Sequence, residues 1–347
     1  MMQKRDLVAG YSISPVIKGG WQLSQGHSLY PSGNEHDSIS DILAFVEAGI
    51  TTLDFGDIYT GVEELIGKSI TQLRSIYGDS AREKVQLHTK YVPNEGSLSN
   101  FDKSNIEQIV DRSLRRLGVD QVDLVQFHWW KYEEERYLEA LEELFRLKRV
   151  GKIRHVGVTN FDVTRLQEMV EANLAPASIQ LQYSVLDRRP ESGMLEYCSH
   201  NGIGVLCYGT VAGGFLSERY LGISEPLEME TRSSVKYKLI IDEFGGWELF
   251  QELLARLAQI AQSHGSDIGT ISSHYILSRP AVSGVIIGAR NISHLASNVS
   301  IPQIELTQEQ VDWLEEILER AKGPSGPVYD LERYSDKHRN IMKTNLN

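Results

Sequence analysis

Cysteine is scarce in this chain of 347 residues, and long apolar runs are missing. Its two cysteines, Cys198 and Cys207, are too few for a disulfide framework and indicate a reducing compartment. No apolar run approaches the roughly 20 residues that a membrane helix needs. The N-terminal MMQKRDLVAGYS also lacks the apolar segment of a secretory signal. We therefore expect a cytoplasmic protein with no membrane partner.

Positive charge is in deficit as well. Basic residues number 35 against 47 acidic ones, and the net charge of −12 argues against nucleic acid or an anionic membrane as the main partner. The apolar fraction of 41% and the charged fraction of 24% are ordinary for a chain that buries a full core. We expect residues 1–347 to form a single domain, whose oligomeric state the sequence does not specify.

Several ligand-binding motifs are absent. Without an HExxH or CxxC pair, no metal site is predicted. The G-x-G-x-x-G fingerprint of doubly wound dinucleotide-binding sheets is missing too. The segment GVEELIGKS resembles a phosphate loop, but five residues separate Gly61 from Gly67 where that motif has one fewer. Lys68 is therefore expected to be a solvated helix lysine.

The chain does show a regular alternation of strand-like and helix-like segments. Eight such units between about residues 16 and 298 predict an α/β fold, a (β/α)8 TIM barrel, in preference to a doubly wound sheet. An N-terminal β-hairpin over 4–13 and an extra C-terminal helix over 308–321 flank the barrel. The predicted strands are 16–20, 51–54, 85–90, 122–128, 155–159, 178–182, 204–208 and 285–288.

Two segments depart from the alternation. Residues 217–246 form a long stretch, predicted to be irregular, that follows the seventh strand and so lies at the C-terminal mouth of the barrel. Long loops in this place are often functional, and a surface insertion without function is the alternative. The tail 322–347 is polar, and it either folds over the mouth or stays loose.

Four side chains fall at the ends of neighbouring strands. Asp54 and Tyr59 follow the second strand, Lys90 ends the third and His128 ends the fourth. Each residue type is common at strand ends, but this face is where such barrels place catalytic residues. A phenol is too weak an acid at neutral pH unless a cation lowers its pKa, and Lys90 held by Asp54 can do so. His128 can orient a carbonyl oxygen or relay a proton.

The four positions and their surroundings resemble the aldo-keto reductase superfamily over nearly the whole chain. The matching segments are YTGVEELIGKSI after the tyrosine, DRSLRRLGVDQVDLVQFHW before the histidine, and GKIRHVGVTNF at 151–161. The family's catalytic tetrad falls on Asp54, Tyr59, Lys90 and His128. The resemblance implies NADPH-dependent reduction of an aldehyde or ketone, or oxidation of the matching alcohol or sugar. Tyr59 would be the general acid or base.

The resemblance also implies where the nicotinamide and the diphosphate of a cofactor would bind. Tyr208 would stack on the nicotinamide, and an amide clamp would fix which ring face meets the substrate. The loop after Tyr208 would offer backbone amides and the Thr210 hydroxyl to the diphosphate. The residues implied are Thr159, Asn160, Gln180, Tyr208, Gly209 and Thr210.

The adenosine end of the cofactor maps to IIGARNISHLASNV at 286–299. Arg290 and the start of a helix over 292–298 would bind a 2′-phosphate, and Asn298 matches a family asparagine near adenine. Gly288 stands where some relatives have a lysine, and His294 where some have an arginine. NADPH stays favoured, with NADH as the alternative.

Trp21 and Trp129 are predicted to line the substrate mouth, with Trp130 and the 217–246 segment as further candidates. Two rival functions are kept. One is a cofactor-binding regulatory or redox-sensing subunit with little turnover. The other is a barrel aldolase that forms a Schiff base on Lys90, which requires this lysine to be free of a carboxylate partner.

Overall fold

The computed structural model describes residues 2–24, 35–229 and 231–342. An antiparallel hairpin of β1 (Arg5–Val8) and β2 (Tyr11–Ile13) comes first. Eight parallel strands then close into a barrel in chain order, which confirms the predicted fold. These strands are β3 (Val16–Gly19), β4 (Thr52–Asp54), β5 (Gln86–Tyr91), β6 (Val122–Phe127), β7 (Ile153–Thr159), β8 (Ser178–Gln182), β9 (Gly204–Tyr208) and β10 (Val282–Gly288).

The hairpin covers one end of the barrel interior. Leu7 and Ile13 are buried in one apolar cluster with Leu124 and Leu206, which come from barrel strands. The Tyr11 hydroxyl makes a 2.8 Å hydrogen bond with Nε2 of His88, which lies on strand β5. Because side chains fill this end, a ligand can enter the barrel only from the opposite end, where the parallel strands terminate.

Helices surround the barrel and bury apolar faces on it. In the third helix Ile106, Val110, Leu114 and Leu117 recur at helical spacing and are buried. In the described ranges no helix is long and apolar enough to cross a membrane. The helices are α1 (Glu35–Glu47), α2 (Val62–Tyr77), α3 (Lys103–Leu117), α4 (Tyr137–Arg149), α5 (Val163–Glu171), α6 (Met194–Asn201), α7 (Arg232–Phe244), α8 (Trp247–Ser263), α9 (Ile268–Leu277), α10 (Leu295–Ser300), α11 (Gln308–Leu318), α12 (Asp330–Tyr334) and α13 (Asp336–Arg339).

The segment 217–246 is more regular than predicted. Helix α7 occupies much of it, so the expectation of an irregular stretch is wrong there. Thr231 and Ser234 form a capping box in which a serine takes the place of the usual Glu or Gln, a weaker signal in a sequence. Helix α7 buries Tyr237 and Phe244.

The C-terminal region differs from the prediction in two places. The predicted helix over 292–298 is a 3₁₀ turn at Ile292–His294 followed by α10. Helix α11 ends at Leu318, three residues earlier than expected. Of the two alternatives for the tail, its described part is ordered and packs on the barrel, with Glu332 and Arg333 each 3% exposed. Residues 343–347 lie outside the described ranges.

Candidate active site

Asp54 and Lys90 form a buried ion pair at the ends of β4 and β5. Lys90 Nζ lies 2.6 Å from Asp54 Oδ1 and also donates to the Phe55 carbonyl at 2.8 Å. Burial acts to lower the pKa of Lys90, but Asp54 and Tyr59 outweigh it, so the pKa is raised and the ammonium stays charged. Lys90 therefore does not meet the condition for a Schiff-base nucleophile, namely freedom from a carboxylate partner.

Two glutamine amides complete the surroundings of Asp54. Gln126 and Gln180 each donate from Nε2 to Oδ2 of Asp54 at 2.7 Å. Gln180 was predicted for the cofactor site, whereas Gln126 was missed. The sequence does contain a signal for Gln126: it stands two residues before His128, and alternate residues of a strand face the same side. Donors from three other strands therefore fix the Asp54 carboxylate.

Tyr59 lies beside this ion pair. Its ring centre is 5.2 Å from Lys90 Nζ and 5.0 Å from the ring of Trp21. Burial raises the pKa of Tyr59, and the positive charge of Lys90 opposes that rise without cancelling it. The predicted lowering by Lys90 is thus present but smaller than the effect of burial. The phenol is protonated at neutral pH, as a proton donor must be.

His128 is neutral, with one ring nitrogen engaged. Its Nδ1 is 3.3 Å from the Thr159 carbonyl oxygen, which can only accept, so Nδ1 carries the hydrogen. Burial lowers the pKa of His128 to about 3, and the nearby Arg333 charge adds to this. The buried Nε2 has no hydrogen-bond partner within the described part of the chain. It is therefore available to accept a hydrogen from a hydroxyl group.

Trp129 does not line the mouth, contrary to the prediction. It is fully buried, its ring packs against Phe101 and Phe127, and its indole N–H donates to the Glu134 carbonyl at 2.8 Å. The physical reason is strand alternation: the residue after the inward-facing His128 points to the outer face. Trp129 therefore belongs to the packing between barrel and helices.

Aromatic rings from three other segments lie beside Tyr59 or His128. Trp21 contacts Tyr59, and its place in the lining of a substrate mouth stays a prediction. The ring of Trp130 meets His128 edge-on with centroids 4.4 Å apart, and Tyr329 from the tail does so at 5.6 Å. Tyr329 was missed, because nothing in the local sequence of the tail indicates which part of the barrel it reaches.

The residues predicted for the nicotinamide are brought together at the ends of β7, β8 and β9. Asn160 has a left-handed backbone with φ of 63°, and its backbone N–H donates to the Gln180 carbonyl at 2.9 Å. The Tyr208 hydroxyl donates to Asn160 Oδ1 at 2.9 Å. Thr159 precedes Asn160 and is 3% exposed. A side-chain amide and an aromatic ring thus lie next to His128.

The loop after β9 passes close to α7. A Cβ atom on Gly209 would lie 2.3 Å from the Tyr237 hydroxyl, and Gly209 has φ of 78°, so glycine is required there. Thr210 is 1% exposed, and its hydroxyl shares a 2.9 Å hydrogen bond with that of Ser273 in α9. Contrary to the prediction, this hydroxyl is buried and bonded within the protein, whereas Gly209 is partly exposed.

The segment predicted for the adenosine runs on from β10. Lys18, missed by sequence reasoning, is buried and donates to the Ala289 carbonyl at 2.9 Å, which holds the start of this segment. Burial lowers the pKa of Lys18 to about 8. The Gln22 side chain occupies the space that a side chain at Gly288 would need. Of the predicted residues, Gly288, Arg290 and His294 are exposed, and Asn298 is half-buried.

A buried ionic network ties the tail to the barrel and to α7. Arg189 is bonded to Asp187 at 2.7 Å and to Glu332 at 3.2 Å, and all three side chains are essentially inaccessible. Lys236 of α7 lies 3.5 Å from Glu332 and 5.2 Å from the centre of the Tyr208 ring. Burial acts to raise the pKa of Glu332, but Lys236 and Arg189 lower it to about 2. The tail and α7 thus meet next to Tyr208, one of the residues predicted for the nicotinamide.

A closed (β/α)8 barrel thus carries Asp54, Tyr59, Lys90 and His128 at or just beyond the ends of three successive strands. The sequence profile of the aldo/keto reductase family matches residues 15–319. The chain belongs to this family.

Individual relatives agree with this assignment over most of their length. The chain is 28% identical to aldo-keto reductase YhdN of Bacillus subtilis over 337 residues, 92% of this chain and 95% of YhdN. It is 26% identical to an aldo-keto reductase of Schizosaccharomyces pombe, yakc, whose name specifies NADP(+), over 85% of this chain and 86% of yakc. The crystal structure of a thermostable aldo-keto reductase with the inhibitor epalrestat is similar at a TM-score of 0.71 and 26% identity, covering 91% of this chain and all of the other.

Proposed function

We propose that this protein is an NADP(H)-dependent oxidoreductase that reduces aldehydes or ketones, or oxidises the matching alcohols or sugars, with Tyr59 as general acid or base. One observation carries the proposal: the Tyr59 ring lies 5.2 Å from a lysine whose charge is held by a carboxylate. The buried, unpartnered Nε2 of His128 supplies an acceptor for the hydroxyl group of the alcohol. The NADP(+) in the name of the yakc relative supports the choice of cofactor.

The residues of this chain fit such a cofactor. The Tyr208 hydroxyl bonds the side-chain amide of Asn160, which follows the Thr159 carbonyl that bonds His128, and Gly209 is partly exposed at the start of the loop after β9. When bound, NADPH supplies the hydride. The residues that would hold it are Thr159, Asn160, Gln180 and Tyr208 at the nicotinamide, Gly209 at the diphosphate, and Gly288, Arg290, His294 and Asn298 at the adenosine.

Proton transfer follows from the protonation states of the site. Tyr59 is protonated and donates to the carbonyl oxygen of the substrate. The phenolate that results is stabilised by the Lys90 ammonium, which Asp54 keeps charged and in place. The hydroxyl of the alcohol product can then donate to the free Nε2 of His128. In the oxidation direction the same groups act in reverse, with the phenolate of Tyr59 as the base.

The substrate class follows from the walls of the mouth. Trp21, Trp130 and Tyr329 are the aromatic rings beside Tyr59 and His128. Aromatic faces accept apolar chains, aromatic rings and the apolar face of a sugar. We therefore propose a small carbonyl compound as the substrate partner.

Two further expectations stand as proposals about the whole chain. We propose that it folds as one domain, because the described tail is part of the barrel's mouth and not a separate unit. We also propose a cytoplasmic location. Both Cys198 and Cys207 are buried free thiols, which is the usual state of cysteine in a reducing compartment.

The proposal is tested with the wild-type protein and a panel of aldehydes, ketones and aldoses, scored by the absorbance of NADPH and of NADH. We expect carbonyl-dependent oxidation of NADPH, and slower oxidation of NADH. Tight NADPH binding without turnover across the panel, or with the matching alcohols and NADP(+), would instead support the regulatory subunit. A protein that binds neither cofactor would contradict both functions.

A further inference from the structure

Arg333, in the short helix α12 of the tail, is a buried cation with unusual partners. Its side chain is 3% exposed, and no carboxylate of the described residues lies within ion-pair distance of it. The guanidinium instead donates to backbone carbonyls: to Asn160 at 3.1 and 3.0 Å, and to Trp129 at 2.8 Å. It also lies over the ring of Tyr132, 4.1 Å from the centroid.

A buried charge is costly unless its surroundings compensate for it. For Arg333 the compensation comes from two carbonyl oxygens and from aromatic faces, since cations are attracted to both. Because arginine presents its donors in a rigid planar fork, it can bridge carbonyls that one lysine ammonium cannot span equally well. The position of Arg333 is therefore specific to a guanidinium.

The two carbonyls belong to the catalytic end of the barrel. Trp129 directly follows His128 after β6, and Asn160 directly follows Thr159 at the end of β7. The Thr159 carbonyl is also the partner of His128 Nδ1. Arg333 thus bridges the backbone just after β6 and β7. His128 follows the first of these strands, and Thr159, whose carbonyl fixes the tautomer of His128, ends the second.

Asn160 is the more demanding of the two connections. Its φ of 63° is a conformation that residues other than glycine adopt rarely. Both terminal nitrogens of Arg333 bond the Asn160 carbonyl, while its side chain accepts from Tyr208. The carbonyl and the side chain of Asn160 are thus held from opposite sides, by the tail and by the barrel.

The tail holds Arg333 in this place through its neighbours. Glu332, the preceding residue, is buried against Arg189 and Lys236. Farther along, Arg339 donates to the carbonyl of Arg333 itself at 2.7 Å. The guanidinium is therefore delivered to the strand ends by a segment that is fixed on both sides of it.

We propose that Arg333 is a positioning residue: from the C-terminal tail it holds Asn160 in its left-handed conformation and fixes the ends of β6 and β7, so that the nicotinamide clamp and His128 keep their geometry. It acts through the backbone and does not touch the substrate. The part that concerns the nicotinamide rests on the proposed function, whereas the part that concerns the backbone does not.

The test compares Arg333→Met and Arg333→Lys with Lys337→Met in the full-length protein. Lys337→Met is the matched control, because it removes an exposed cation of the same tail that makes none of the contacts described for Arg333. Two properties are measured: amide hydrogen exchange of peptides that contain Asn160 and Trp129, and NADPH affinity from fluorescence titration. Steady-state kinetics give KM for NADPH and kcat separately.

In Arg333→Met we expect faster exchange around Asn160 and NADPH affinity at least about tenfold weaker, the scale for losing charge-assisted hydrogen bonds. The KM for NADPH should rise more than kcat falls. Arg333→Lys, which keeps the charge and folds with less disturbance, should fall between wild type and Arg333→Met. Lys337→Met should match wild type in both measurements.

Equal exchange around Asn160 in wild type and in both Arg333 variants would overturn the proposal, as would equal changes in Arg333→Met and Lys337→Met. A wild-type protein that fails to bind NADPH would refute the proposed function and the nicotinamide part of this inference. Hydrogen exchange would still decide whether Arg333 holds the backbone. The two failures are therefore distinguishable.

Discussion

Lys90 Nζ and Asp54 Oδ1 lie 2.6 Å apart, with side chains that are only 7% and 5% exposed. Two charges at this depth stabilise the fold only as a pair, because each alone would be an uncompensated buried ion. The same pair keeps a positive charge beside Tyr59. Stability and chemistry thus depend on the same contact.

Asp54→Asn should therefore lower both the stability of the protein and its rate of carbonyl reduction. Breaking one side of a buried ion pair costs roughly 3–5 kcal/mol, and we expect a loss of this size in the free energy of unfolding from urea titration. Carbonyl reduction should fall in parallel, because the uncompensated Lys90 no longer stays reliably charged. An unfolding free energy equal to that of wild type would show that the pair does not matter for stability.

Asp57, three residues after Asp54, is a buried carboxyl without a close cation, and its replacement by Asn is expected to stabilise the protein as the pH rises. It is 5% exposed, neither carboxylate oxygen makes a hydrogen bond of good geometry to the residues that the structure describes, and Arg112 is 4.0 Å away. Burial raises the pKa of Asp57 from 3.8 to about 8, with the Glu63 charge adding to this. Between these two pH values the folded state holds a proton on Asp57 that the unfolded chain has released. The contribution of Asp57 to the free energy of unfolding is therefore fully present below pH 3.8 and is lost as the pH rises through about 8.

Asp57→Asn removes this dependence and serves as the matched control for Asp54→Asn. Relative to wild type, the variant should gain stability as the pH rises between 3.8 and about 8. Urea midpoints measured over this range check the prediction. Parallel curves for the two proteins would mean that Asp57 is not the buried acid described here.

Arg290 is the exposed cation of the segment predicted for the adenosine. If it binds the 2′-phosphate, Arg290→Met should weaken NADPH binding by about tenfold or more while leaving NADH binding unchanged, because only NADPH carries that charge. Fluorescence titration with both cofactors measures this. Arg149→Met, at the exposed end of α4, is the control. Equal losses for both cofactors would place the 2′-phosphate elsewhere.

The barrel and the placement of the four residues proposed as catalytic were predictable because their signals are local. Strand and helix periods recur along the chain, and strand ends of successive units meet at one face, which brings Asp54, Lys90 and His128 together. The five-residue interval from Asp54 to Tyr59 lies within one loop. Such features need no knowledge of distant contacts.

What sequence reasoning missed depends on contacts between segments far apart. Gln126 could have been found from its spacing to His128 on one strand, but its bond to Asp54 spans 72 positions. Arg333 bonds Asn160 across 173 positions, and no local pattern marks its target. Trp129 was assigned to the mouth because its neighbour is catalytic, although strand alternation turns it to the other face. Thr210 was assigned to a ligand, whereas packing pairs it with Ser273.

The measurement that tests the account most directly is the turnover of Tyr59→Phe, with NADPH binding measured on the same preparation. The substitution removes the phenolic hydroxyl and leaves the ring contact with Trp21. Carbonyl reduction should fall by roughly 10² to 10⁴-fold, the scale of general acid catalysis, while NADPH affinity stays close to that of wild type. Reduction at the wild-type rate in this variant would contradict the central claim that Tyr59 is the proton donor.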